Sequence, residues 1–194
     1  MNEKVVCLGD SLTDALGVPR HETWTALAQA RLGRPFVNKG ISGDTTGGML
    51  ARFGRDVLAE APGTVLIMGG PNDFMAGLPV EAVKANITAM ARQAQHYGIV
   101  PLLGVPTRAC YDALPEQLRP IVDGDYIASR LEALRDWILP FARTLGNPCI
   151  DFAEEFQRRV PEPYGSNFQD GMHPTAQRQS VLADIVAEHP YFQK

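Results

Sequence analysis

Five short apolar runs, Val5 to Leu8, Phe36 to Val37, Val65 to Met68, Ile99 to Val105 and Cys149 to Phe152, are separated by longer stretches of a different rhythm. Runs this short, with no alternation of apolar and polar residues, are the pattern of strands covered on both faces. The stretches between them repeat apolar residues every three or four positions, as helices with one buried face do. Trp24, Leu27 and Ala28 mark the first stripe; Met49, Leu50, Phe53, Val57 and Leu58 the second; Val83, Ile87, Met90, Ala91 and Ala94 the third. Leu131, Leu134, Ile138 and Leu139 form a fourth, and Val181, Ile185 and Val186 the last. Strands alternating with helices of this length require crossover connections, and hence parallel neighbours. The expected architecture is α/β: a single three-layer αβα domain over residues 1–194 with a five-stranded parallel sheet in flavodoxin-like order. The aliphatic and aromatic stripes read as core, not as cofactor contacts.

Open sheets of this kind bind ligands beyond the carboxyl ends of their strands, and three of the apolar runs end in small, polar segments. Gly9-Asp10-Ser11-Leu12-Thr13 follows the first, Asn38-Lys39-Gly40-Ile41-Ser42-Gly43-Asp44-Thr45-Thr46 the second, and Gly69-Gly70-Pro71-Asn72-Asp73 the third. Near the chain's end stands Asp170-Gly171-Met172-His173-Pro174. A serine hydroxyl attacks well at neutral pH only if a base removes its proton, and imidazole, with an unperturbed pKa of about 6.5, suits that task. Asp170, three residues before His173, would lie on the same side of a helical turn and hold the ring. Each residue also has a plainer reading. Asp10 and Ser11 are good helix caps, Gly43 and Asn72 good turn residues, and His173 sits ahead of a helix start at Pro174-Thr175-Ala176. Asp10 and Asp73 read as turn residues that accept backbone N–H bonds, without a proton-transfer role.

Taken in order, these segments resemble the SGNH or GDSL hydrolases, whose Ser, Gly, Asn and His occupy four separated motifs. The resemblance runs from Val5 to about Ile185, and Ile41-Ser42-Gly43-Asp44-Thr45-Thr46 with Arg52 downstream is similar to the branch holding acyl-CoA thioesterases, arylesterases and lysophospholipases. It implies a serine hydrolase in which Ser11 attacks, His173 carries the proton and Asp170 orients the ring. The oxyanion would be met by the backbone N–H groups of Ser11 and Gly43 and the side-chain amide of Asn72. No cofactor is implied. The implied partner is a small-molecule acyl ester or thioester: a short- to medium-chain ester, an arylester, an acyl-CoA or a lysophospholipid. A carbohydrate O-acetyl ester is the alternative on the same scaffold. Leu12, Ile41, Phe74, Met75 and Met172 flank the site in sequence and would line an apolar acyl groove, although core packing explains them as readily. The loops 74–79 and 106–125, the second carrying Tyr111 and Leu114, are expected to shape the pocket, and Gly77 would permit the first to move.

Other functions find little support. A nucleotide- or flavin-binding domain needs G-x-x-x-x-G-K-[ST] or G-x-G-x-x-G after a strand, and neither is present. An α/β-hydrolase would carry G-x-S-x-G. A second non-catalytic reading, beside that doubly wound ligand-binding domain, is a silent carbohydrate- or partner-binding module on the hydrolase scaffold; it would be expected to have lost a triad member, and none is missing. The net charge of -4, with no basic run, gives no electrostatic case for nucleic acid. No apolar stretch approaches spanning length, so stable membrane insertion is not expected. Met1-Asn2-Glu3-Lys4 leads into the first run without a secretion signal, and a cytoplasmic location is expected. Three cysteines make no disulfide framework: Cys7 reads as buried strand, Cys149 lies beside the last strand and Cys110 in a loop. Four scattered histidines suggest no metal site. A homo-oligomer is compatible with the sequence.

Overall fold

Each apolar run becomes a strand in a computed structural model that describes residues 3–193: β1 (Val5–Gly9), β2 (Phe36–Gly40), β3 (Thr64–Met68), β4 (Val100–Val105) and β5 (Cys149–Asp151). All neighbours are parallel and the order is β2-β1-β3-β4-β5. Gly9 of β1 lies opposite Gly40 of β2 and Met68 of β3, so three strands end level and launch their loops from one rim.

The helices are α1 (Ser11–Asp14), α2 (Trp24–Leu32), α3 (Thr46–Ala51), α4 (Phe53–Asp56), α5 (Pro71–Met75), α6 (Val80–His96), α7 (Gly124–Thr144), α8 (Phe152–Arg159) and α9 (Ala176–Ala187). Successive strand residues point to opposite faces, and they divide the core in two. Val6, Leu8, Val65, Ile67, Leu103 and Val105 pack with α3, α4, α6 and α7 on one side. Val5, Cys7, Leu66, Met68, Leu102 and Ile150 pack with α2, α8 and α9 on the other. The α6 stripe of Val83, Ile87, Met90, Ala91 and Ala94 is wholly buried, as its spacing requires. Burying each large side chain contributes about 1.5–3 kcal/mol.

Several local expectations are corrected. Strand β2 continues through Asn38, Lys39 and Gly40, residues whose polarity hid it; the Asn38 amide donates to the Thr13 carbonyl at 2.7 Å. The stripe from Met49 to Leu58 is not one helix. It breaks at Arg52, whose backbone (φ -98°, ψ 5°) leaves the helical region between α3 and α4. Phe152 begins α8 instead of ending β5, because Asp151 caps that helix by accepting the Glu154 N–H. The segment after Gly70 opens α5, with Pro71 at its first position where no N–H is needed. Asp170 and His173 lie on a tight loop, not a helical turn. Met1 and Asn2, half of the start read as lacking a secretion signal, lie outside the described residues. Among the described residues, no helix is long and apolar enough to cross a membrane.

The level strand ends demand small residues. A Cβ on Gly9 would come within 2.6 Å of the Met68 carbonyl oxygen and collide with Thr13. Gly9→Ala should therefore lower stability by about 1–3 kcal/mol, the usual cost of overpacking, read as a drop in the urea midpoint with an unchanged slope.

Candidate active site

Ser11 is the first residue of α1 and is 9% exposed. Asp10 caps this short helix by accepting the Leu12 N–H at 2.9 Å, and the Trp24 indole N–H donates to the Leu12 carbonyl at 2.9 Å. The backbone around Ser11 is thus held from both sides. The other end of the chain arrives as the loop 168–174, closed by a bridge between Phe168 and Pro174 and by the Gln169 N–H donating to the His173 carbonyl. Within it, Asp170 Oδ1 accepts the backbone N–H groups of Met172 and His173, at 3.0 and 2.8 Å. Its Oδ2 lies 2.7 Å from His173 Nδ1, and His173 Nε2 lies 2.8 Å from Ser11 Oγ.

The charges decide who donates. Burial pushes the Asp170 carboxyl up, but the hydrogen bonds from His173 and from the Met172 backbone outweigh it and hold the carboxyl below its ordinary value. An ionised carboxylate only accepts, so Nδ1 carries a proton and donates to Asp170. That leaves Nε2 of a neutral ring to accept from the Ser11 hydroxyl.

Ser11, Gly43 and Asn72, which line one cavity, each carry an N–H group. The Ser11 backbone N–H opens α1, where no preceding helical turn can accept it. Gly43 has φ +82°, and nothing lies within 4 Å of where a Cβ would be, so the left-handed backbone, not crowding, calls for glycine. Its N–H donates to no backbone carbonyl among the described residues. One amide hydrogen of Asn72 goes to the Asp44 carbonyl at 2.9 Å, which fixes the side chain and leaves the second free.

Arg52 ties these segments together. It is 9% exposed and donates to Asp44 Oδ2 (2.7 Å), to Asp56 Oδ2 (2.8 Å) and to the carbonyls of Lys39 (2.8 Å) and Gly9 (2.9 Å). The ends of β1 and β2, the Gly43 loop and α4 therefore share one guanidinium. Asp73 plays a similar part for α3, accepting the Thr46 hydroxyl at 2.6 Å and its N–H at 2.9 Å. Asp10 is less well served: its Oδ2 is buried without a partner among the described residues, and burial pushes its pKa up to about 7.

Ser11, Gly43, Asn72 and His173 open onto one cavity of about 220 Å³. Leu12, Met75 and Met172 line it, as do Leu16, Ile127 and Leu131. Two candidates from the sequence do not. Phe74 is 1% exposed and belongs to the core, while Ile41 is 45% exposed and lies outside the wall. Sequence reasoning missed the cavity role of Leu131, counted only as a core stripe, and of Leu16 and Thr107. The spacing of Ile127 and Leu131 signals a shared helix face, but not that this face meets an opening. Among the described residues, no group of three His, Cys, Asp or Glu side chains could hold a metal ion.

The sequence profile of the GDSL-like Lipase/Acylhydrolase family matches residues 7–179. Esterase TesA of Pseudomonas aeruginosa is 37% identical over 190 residues, covering 95% of this chain and 86% of that protein. An arylesterase of Vibrio mimicus is 36% identical over 192 residues, covering 96% of this chain and 88% of that one. The crystal structure of a member of the lipolytic protein G-D-S-L family from Veillonella parvula has a TM-score of 0.80 over 97% of this chain and 98% of its own; at 19% identity the likeness is one of fold.

Removing the shared guanidinium takes the ion-pair partner from the partly buried Asp44 carboxylate and one donor each from Asp56, which keeps Arg55, and from the Lys39 and Gly9 carbonyls. Arg52→Met should cost about 3–5 kcal/mol in a urea melt at neutral pH, and Arg52→Lys should recover only part, since an ammonium cannot reach four acceptors in a fixed fork.

Proposed function

Because the chain belongs to the GDSL-like lipase/acylhydrolase family and is a carboxylic ester hydrolase, we propose that it cleaves esters or thioesters through an acyl-enzyme on Ser11. The observation that carries this reading is the relay itself, Ser11 Oγ to His173 Nε2 at 2.8 Å and His173 Nδ1 to Asp170 Oδ2 at 2.7 Å. As Ser11 Oγ bonds to the carbonyl carbon, its proton passes to Nε2, and Asp170 stabilises the imidazolium. Negative charge develops on the carbonyl oxygen and is met by the N–H groups of Ser11, Gly43 and Asn72. When the carbon–oxygen or carbon–sulfur bond breaks, His173 returns the proton to the departing alcohol or thiol. Water then repeats the sequence on the acyl-serine, giving the free acid and the original hydroxyl. The apolar walls formed by Leu12, Met75, Ile127, Leu131 and Met172 favour a short to medium acyl chain.

Ser11→Ala should abolish turnover of p-nitrophenyl esters and labelling by a fluorophosphonate while the protein keeps its melting temperature; residual labelling would point to another nucleophile. Asn72→Ala should cost about 100-fold or more in kcat, and an unchanged kcat would remove the amide from the oxyanion site. Asp170, held below the usual carboxylate range, stays ionised throughout neutral pH. Activity, measured as kcat/KM, should accordingly fall in acid, because a protonated ring cannot accept the serine proton.

A further inference from the structure

One polar group in the cavity wall has nothing to bond to. Thr107 stands two residues past the end of β4, is 5% exposed, and its Oγ1 is covered without a hydrogen-bond partner among the described residues. Tyr111, half-buried, lines the same cavity, and its hydroxyl has no hydrogen-bond partner among the described residues; burial pushes its pKa up to about 12, so it remains a neutral donor. Around them the wall is apolar, formed by Ala109, Ile127 and Leu131. A buried hydroxyl left unpaired destabilises a fold, and valine has the same shape without that cost. Oγ1 itself is covered, so the rest of Thr107 lines the cavity, and a rotation about χ1 puts the hydroxyl where the methyl now lies.

We propose that Thr107, assisted by Tyr111, is a specificity-determining residue that hydrogen-bonds an oxygen carried on the acyl chain, so that hydroxyacyl or oxoacyl esters are preferred over unsubstituted ones. This rests on the acyl-enzyme reading above. The sheet order sets where that oxygen sits. Strand β3 lies between β1 and β4, so the segments bearing Ser11 and Thr107 leave the rim about 10 Å apart, two strand spacings of ~4.8 Å. The recognised oxygen is therefore several bonds along the chain from the ester carbonyl, not adjacent to it. An unsubstituted chain entering the same space leaves Thr107 unpaired as it already is and takes water from the Tyr111 hydroxyl, whereas a chain oxygen gives both a partner.

The test compares kcat/KM for p-nitrophenyl octanoate with that for its ω-hydroxy analogue and for shorter ω-hydroxyacyl esters, each against the plain ester of equal length. The parent protein should favour one hydroxyacyl length, and Thr107→Val should reduce that preference about tenfold, with a smaller loss in Tyr111→Phe. Thr107→Ser, which keeps the hydroxyl, should retain it. Thr107→Val should melt at or above the parent temperature, because an unpaired group has been removed. The inference is overturned if the hydroxyacyl preference is the same in the parent and in Thr107→Val, or if Thr107→Val melts lower, which would show that the hydroxyl already has an internal partner. Turnover of plain octanoate that survived Ser11→Ala would instead defeat the acyl-enzyme reading, so the two failures are separable.

Discussion

A single buried guanidinium holds the rim together. Four acceptors of Arg52, on Gly9, Lys39, Asp44 and Asp56, belong to the ends of β1 and β2, the loop after β2 and α4, and no other described side chain reaches all of them. The consequence runs outward. Asp44, fixed by Arg52, presents the carbonyl that receives the Asn72 amide, so the position of that amide depends on an ion pair one residue removed from it. The helix break at Arg52 belongs to the same arrangement: a side chain with this many inward partners sits where the backbone turns, not in the middle of a continuous helix. Burying a charge is costly unless it is well paired, and here four of the five N–H groups of the planar fork have partners.

How much of this was legible depended on whether burial or local polarity set the structure. Strands β1, β3 and β4 could be read because both faces are covered and the residues are apolar without interruption. The end of β2 could not, since Asn38, Lys39 and Gly40 are held by an edge ladder and by Asn38's contact with Thr13. Helix α8 stayed hidden because its first residue, Phe152, extends the apolar run that makes β5.

The site was more legible than its walls. Ser11, Gly43 and Asn72 each follow a strand end, and sequence order alone places such residues on one side of a parallel sheet. Phe74 and Met75 show why lining residues resist the same treatment. Neighbours on a helix point about 100° apart, so in α5 one enters the core and the other reaches the cavity. Nothing in the sequence says which, because that depends on how the short helix is rotated by Asp73 and its bonds to Thr46. The unpaired oxygens of Asp10 and Thr107 are also invisible in a sequence: both residue types are ordinary, and only the packed environment leaves them without partners.

The two ends of the hydroxyl–imidazole contact are 162 positions apart, and the five strands are complete by Asp151. A chain emerging from the ribosome thus releases all five strands, and Ser11 with them, ahead of the loop that carries His173. Until that last loop closes, the Ser11 hydroxyl lacks the imidazole that lies 2.8 Å from it in the folded protein.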